Sequence, residues 1–324
     1  MNMNWGLVIQ GPVVSFGQGP NNVTSGFSAR EAIEANIKSF APYVCQIVVS
    51  TWENSGLDFR SRFSDNVVLI ENRLPVQRDH DNRIKQFVST YEGVKFLAAN
   101  SNATHILKIR TDQVVDPAII RWLNDFFMVC AKWFDREKTL QESFIVFSDM
   151  RKDNPFYLGD FIFAGTCKDL VAFCKANLGY GTRNLHPSIG IDYILKHLSV
   201  NDKPFKWNFY QTMPFLWQVS NRSNRCVQSY WDDIRQSRLS VIPSSIFGSI
   251  VWRGRPMSDV LPDYREGFSF HEEWLAMKLE RDDSVQSRAA KFLIPTQETI
   301  ATAKYEYVRY WKAVLKVYLK RRLH

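Results

Sequence analysis

Along this chain, short continuous apolar runs alternate with stretches in which apolar residues recur every three or four positions. Trp5 to Gln10 (WGLVIQ) reads as a buried strand closed by Gly11-Pro12. Val44 to Thr51 (VCQIVVST) reads as a second and Asn66 to Glu71 (NVVLIE) as a third, since short Val/Ile-rich runs suit strands covered on both faces. Between the first two, Ser28 is placed to cap a helix over Ala29 to Phe40. A second helix opens near Gln77 (QRDHDNRIKQFVSTYEGVKF). At about 100° per residue, Ile84, Phe87, Val88, Tyr91, Val94 and Ala98 fall on one face, and Asn82, Arg83, Gln86, Ser89, Thr90 and Gly93 on the opposite one. The first face is expected in the core and the second to be polar. A Ser/Asn loop then leads into THILKIRTDQVVD, where Ile106, Leu107 and Ile109 read as buried strand and Arg110, Thr111 and Asp112 arrive at its carboxyl end. In an open α/β sheet, ligands bind at that end.

Strand, helix, strand, strand, helix, strand opens a parallel sheet with helical crossovers. Further on, Trp122 to Phe134 reads as a helix, Ser143 to Ser148 and Leu158 to Ala164 as strands, and Lys168 to Ala176 and Ile191 to Leu198 as helices. After about Ser240 the alternation stops. Pro243, Gly248, Gly254, Pro256, Pro262 and Gly267 punctuate a loop-rich passage, followed by helical patterns over Glu272 to Arg281 and Thr296 to Lys320. The expectation is an α/β fold with a mainly parallel, mixed central sheet flanked by helices over residues 1–240, then a loop-rich and helical C-terminal extension over 241–324.

Composition narrows the setting. With 324 residues, 45% of them hydrophobic, the chain can bury the core of one large α/β domain with an extension, rather than two equal domains. Its five cysteines are odd in number and lack metal-ligand spacing, and Cys45 sits inside an apolar strand pattern, so a reducing compartment and no zinc are expected. The amino terminus enters a strand at once and no apolar run approaches the ~20 residues of a spanning helix, so neither a secretory signal nor a transmembrane segment is expected. The net charge of +8 is concentrated late: Lys304, Arg309, Lys312, Lys316, Lys320, Arg321 and Arg322 stand against Glu306 alone, with Tyr305, Tyr307, Tyr310, Trp311 and Tyr318 interleaved. Such a helix suits an anionic membrane surface, each cation near the headgroups contributing about 1 kcal/mol. It equally suits a solvated terminal helix packing Val308, Leu315 and Leu319 on the domain, and the two readings are compatible.

Several blocks in order, WGLVIQGPVV, DNRIKQFVSTYEGVKFL, ILKIRTDQVV, GDFIFAGT and HPSIGIDYIL, resemble the WavE-type lipopolysaccharide-synthesis family over roughly Asn4 to Leu198. The resemblance implies a glycosyltransferase with a GT-A-like fold, a nucleotide-sugar donor, and a lipid-linked or oligosaccharide acceptor of the cell envelope. With the cysteine usage, the lack of a signal or spanning segment and the basic aromatic tail, the expected location is cytoplasmic, peripheral on the inner face of the membrane. Enzymes of that fold commonly carry Asp-x-Asp after a central strand, its second Asp binding a divalent ion with the donor diphosphate. The matching tripeptide here is Arg110-Thr111-Asp112, a cation in place of the first Asp. Two readings follow: Asp112 holds Mg²⁺ or Mn²⁺ with substrate oxygens and water, or Arg110 binds the diphosphate directly. A third makes Asp112 a turn residue like Asp116 before Pro117.

Other residues take roles under the same resemblance. Arg78, Asp79, Asn82 and Arg83 open the second helix, where free N–H groups and the dipole suit phosphate; ordinary capping by Asp79 or Asp81 is the alternative. Gly93 in a helix interior costs up to ~1 kcal/mol against Ala, which suggests a close neighbour on the polar face. Gln10 and Gly11 end the first strand, where the loop that contacts base and ribose lies, or form a plain turn. The polar loop Ser15 to Ser25 matches neither a P-loop nor a dinucleotide fingerprint. For the acceptor hydroxyl's proton, Asp192 at the head of IDYILKHL resembles the base, with Asp160 second; a simple first-turn helix acid is the alternative for Asp192. His186 and His197 fit packing roles. Trp231, Asp232, Asp233, Arg235, Arg253 and Arg255 are unranked candidates for an acceptor pocket.

Two rival functions remain. A sugar nucleotidyltransferase would use a similar fold, but its glycine-rich loop with a following Arg and Lys is not recognisable after the first strand. A non-enzymatic module binding membranes or nucleic acid would explain the tail and the pI of ≈ 9.2, yet no nucleic-acid motif is present and no nucleic-acid partner is expected.

Overall fold

A computed structural model describes residues 3–13, 27–57, 66–75, 83–136, 145–151, 158–178, 239–262 and 264–273. The elements run β1 (Trp5–Gln10), α1 (Ala29–Phe40), β2 (Gln46–Trp52), β3 (Val67–Asn72), α2 (Arg83–Asn100), β4 (His105–Arg110), β5 (Gln113–Val114) and α3 (Ala118–Arg136). They continue with β6 (Ile145–Phe147), β7 (Met150–Arg151), β8 (Phe163–Thr166), α4 (Cys167–Leu178), β9 (Leu239–Val241), α5 (Ser244–Ser249), β10 (Val251–Trp252) and β11 (Arg255–Pro256). Seven strands form one sheet in the order β3-β2-β1-β4-β8-β6-β9. The first four are mutually parallel, β8 runs antiparallel to β4 and β6, and β9 lies parallel to β6. Leu7 faces Leu107, Val8 faces Val48, and Val48 faces Val68, so the four apolar runs of the sequence share one mixed sheet.

Both faces of that sheet are covered, which is why its strands read as unbroken apolar runs. Leu7, Ile9, Val49 and Leu107 pack with Ile33, Ile37 and Phe40 of α1 and Ile119 and Leu123 of α3. Val8, Val48 and Ile106 pack with Phe87, Val94 and Leu97 of α2 and Leu170 and Phe173 of α4. The α1 cap forms as expected, Glu31 N–H donating to Ser28 Oγ at 3.3 Å. At α3 the chain turns helical four residues earlier than its apolar pattern suggests, because Asp116 Oδ1 accepts from the Ala118 N–H at 2.8 Å.

Helix α2 departs from the amphipathic reading. Ser89, Thr90 and Gly93, assigned to a polar face, are buried, while Ala98 is exposed. The hydroxyls are satisfied inside the helix, Ser89 donating to Lys85 O at 3.0 Å and Thr90 to Gln86 O at 2.7 Å, so they can face the sheet without losing hydrogen bonds. The close neighbour expected at Gly93 exists: a Cβ there would lie 2.8 Å from Val8 Cγ1 and 3.3 Å from Ser50 Cβ. It is the sheet itself.

The strand expected over Leu158 to Ala164 is shifted. Leu158 makes a single bridge to Met150, residues 159–162 turn, and β8 starts at Phe163. A boundary after residue 240 falls inside β9, and the chain beyond it returns: β10 pairs with β5 and β11. The helices expected over 191–198 and 296–320, and that over 272–281 beyond residue 273, lie outside the described residues.

Candidate functional site

From β1 the chain passes outward to β2 and β3, then returns to β4 on the other side of β1. This reversal opens a crevice at the carboxyl ends of β1 and β4, the usual ligand position in such sheets. Gln10 and Arg110 are register partners there. The two strand ends are tied together, Thr111 N–H donating to Gln10 O at 2.9 Å and Thr111 Oγ1 to Pro12 O at 2.8 Å. Gly11 is required at this crossing: its φ is 137°, and a Cβ would stand 2.5 Å from Thr111 Oγ1. Gln10 is buried with Nε2 donating to Ser89 Oγ at 2.9 Å, so its amide is engaged with α2. Ser50 Oγ donates to Ser89 O at 2.6 Å and Asn72 Nδ2 to Ser50 Oγ at 2.9 Å, completing a polar layer beneath the edge.

Asp112 is the centre of the site, with a side chain only 1% exposed. Its carboxylate accepts from four N–H donors: Arg110 Nε at 2.8 Å, Arg110 Nη2 at 3.0 Å, Trp252 Nε1 at 2.9 Å and Arg253 Nε at 3.1 Å. Both strands that frame it contribute, since Trp252 pairs with Gln113 across β10 and β5, and Arg253 N–H donates to Asp112 O at 2.9 Å. Burial by itself would raise the Asp112 pKa, but the Arg110 charge and hydrogen bonds, with Trp252 and Arg253, hold it at about 2. For Arg110, burial works against the charge and the two neighbouring carboxylates outweigh it, raising its pKa further.

Arg110 reaches a second acid, Nη1 standing 3.4 Å from Asp160 Oδ2. Its guanidinium lies 5.3 Å from the Phe161 ring centroid, and that of Arg253 lies 4.8 Å from the Trp252 ring. The two rings meet edge to face at 5.3 Å. The side chains of Arg110 and Arg253 remain 22% and 20% exposed, and the Nε of each is fixed on a buried anion.

Beneath them lies Lys108, fully buried in the middle of β4, with Nζ donating to the Asp160 carbonyl and standing 4.9 Å from the Phe163 ring centroid. Burial lowers its pKa to about 7, partly opposed by the Asp160 charge. Lys108 did not stand out in the sequence. The signal was a lysine inside ILKIR, in a strand whose neighbours are apolar on both sides.

Of the residues picked from sequence, Gln10, Gly11, Arg110, Asp112 and Asp160 come together at this edge. Arg83 begins α2. Arg78, Asp79, Asn82 and Asp192 lie outside the described residues, as do His186, His197, Trp231, Asp232, Asp233 and Arg235. Arg253 joins the site, whereas Arg255 donates Nη2 to Asp259 O at 3.2 Å. Trp252, which supplies a hydrogen bond to Asp112, was not picked.

A divalent ion at Asp112 would need the oxygens that already accept four N–H bonds, three of them from guanidinium groups. The donor set around Asp112 does not fit Mg²⁺ or Mn²⁺. No group of three or more His, Cys, Asp or Glu with metal-binding proximity occurs among the described residues.

No protein-family model matches the chain and no curated protein matches it. Among solved structures, it is similar to 4-diphosphocytidyl-2C-methyl-D-erythritol synthase from Anaerococcus prevotii, at 12% identity over 74% of this chain and 88% of that one, with a TM-score of 0.34. A cytidylyltransferase from Leptospira borgpetersenii matches at 16% identity over 60% and 71%, TM-score 0.34. A nucleotidyl transferase from Methanothermobacter matches at 18% over 60% and 83%, TM-score 0.35. Such distant matches leave the functional reading to the chain's own residues.

Proposed function

We propose that the protein is a sugar-nucleotide transferase that binds donor phosphates at the carboxyl edge between β1 and β4. The observation that carries this reading is Arg110, partly exposed at the switch-point crevice and oriented by a bidentate pair with buried Asp112. As a glycosidic bond to a nucleotide breaks, charge grows on the leaving diphosphate, and a fixed guanidinium at that place stabilises it. The blocks resembling the WavE-type family support glycosyl transfer to a lipid-linked or oligosaccharide acceptor of the lipopolysaccharide, O-antigen or capsule kind. Asp160, beside Arg110, is then a candidate for orienting or deprotonating the acceptor hydroxyl, with Asp192 the other candidate.

Sugar nucleotidyl transfer is the second reading. Arg110 and Arg253, both partly exposed beside Asp112, suit a departing pyrophosphate as well as a nucleoside diphosphate.

One assay separates the readings. Incubation with UDP-, GDP- and CMP-sugars and cell-envelope glycan should release nucleotide. Pyrophosphate release from nucleoside triphosphate and sugar 1-phosphate would favour the second reading, and silence in both arms would remove the transferase proposal.

A further inference from the structure

The implied metal site and the observed donor set disagree, and the disagreement has a positive content. Both Asp112 oxygens already accept N–H bonds, and the residue gathers Arg110, Trp252 and Arg253 onto one buried carboxylate. A carboxylate in that position does for the arginines what a metal's ligands do for a metal. It fixes their direction before any ligand arrives, so little side-chain entropy is lost on binding.

We infer that Asp112 is a positioning residue and that Arg110 and Arg253 form a metal-independent clamp for the phosphates of a nucleoside diphosphate. The clamp is assembled from distant parts of the chain. Arg110 comes from the end of β4, and Arg253 from the turn between β10 and β11, where it holds a positive φ of 51°. Its backbone N–H is bonded to Asp112 O at 2.9 Å, its Nε to the same residue's carboxylate, and its guanidinium lies against the Trp252 ring. Backbone, charge and ring contact thus restrain one partly exposed arginine. Phe161 does the same under Arg110. Arg110, which also reaches Asp160, and Arg253 are thus held in fixed directions beside the carboxyl end of β4, and a planar guanidinium matches phosphate oxygens bidentately.

This rests on the proposed function, and the test keeps the two apart. Binding of UDP, GDP and CMP, and of their nucleosides, is measured by calorimetry on the full chain, in excess EDTA and again with Mn²⁺. At least one nucleotide should bind with affinity equal within about twofold in the two conditions. Arg253→Gln should then weaken the nucleotide roughly tenfold, the loss expected for a charge-assisted hydrogen bond, and leave the nucleoside unchanged. Arg253→Lys, which keeps charge but loses the Nε bond to Asp112, should fall between, and serves if the Gln variant does not fold. Nucleotide binding that requires Mn²⁺ would overturn the clamp while leaving the transferase reading standing. Absence of binding in both conditions would overturn the transferase reading and the clamp with it. Equal losses for nucleotide and nucleoside in both variants would reduce Arg253 to a structural residue and overturn its place in the clamp.

Discussion

At the scale of single residues, Asp112 decides both stability and chemistry. A buried carboxylate shared by two arginines is not a replaceable turn residue, because removing it takes away the charge on which both Nε groups are fixed. Asp112→Asn should destabilise the fold by about 3 kcal/mol, the low end for breaking a buried pair, since the arginines can still reach water. Urea unfolding measures this, and a loss near zero would contradict the description of the site. The acid limb follows from the same pair. With the folded pKa held at about 2, below the value of 3.8 for a free Asp side chain, the contribution of Asp112 is present above that ordinary value and is lost as pH falls through the folded one. Lys108 works in the other direction. Its folded pKa of about 7 lies below 10.5, so between those values the unfolded chain binds more protons and stability rises with pH. Thermal melts from pH 7 to 10 should show that rise in the wild type and lose it in Lys108→Met.

At the scale of elements, the apolar runs were legible and the polar ones were not. WGLVIQ, IVVST and ILKIR became parallel neighbours because continuous Val, Ile and Leu leave no other stable placement for a short strand. Helix α2 was read with the right period but an incomplete inner face. Ser89 and Thr90 look like surface residues in one dimension, yet each bonds back to its own helix and can be buried. Gly93 was recognisable as a close-approach position, but nothing local says that β1 is what approaches. Gly93→Ala should therefore destabilise, although alanine is the better helix former by about 1 kcal/mol. Its methyl would meet the buried, β-branched Val8 at 2.8 Å, and such overpacking costs about 1–3 kcal/mol. A higher melting temperature in this variant would contradict the packing of α2 on the sheet. The β5, β10 and β11 pieces escaped altogether, since two-residue strands carry no period.

At the scale of the whole molecule, half of the candidate site could be anticipated. Arg110, Asp112 and Gln10 sit at strand ends that the alternation of elements already brings together, whereas Trp252 and Arg253 return from 140 and 141 residues away in sequence and no local pattern links them to Asp112. Among the described residues no helix is long and apolar enough to cross a membrane. For the basic segment 305–322, docking on an anionic leaflet is proposed from its charge and aromatic residues alone. Liposomes containing anionic lipid should bind the protein in low salt and release it as ionic strength shortens the Debye length below about 8 Å. Binding that ignores salt, or that survives neutralising Lys316, Lys320, Arg321 and Arg322, would dismiss that reading. The central claim is the location of the donor phosphates, and a structure determined with bound nucleoside diphosphate in the absence of divalent ions tests it most directly. Phosphate oxygens should lie within hydrogen-bond distance of Arg110 and Arg253, with the Asp112 carboxylate still held between them. Phosphates seated away from the carboxyl ends of β1 and β4, or bridged to Asp112 by an added divalent ion, would contradict it.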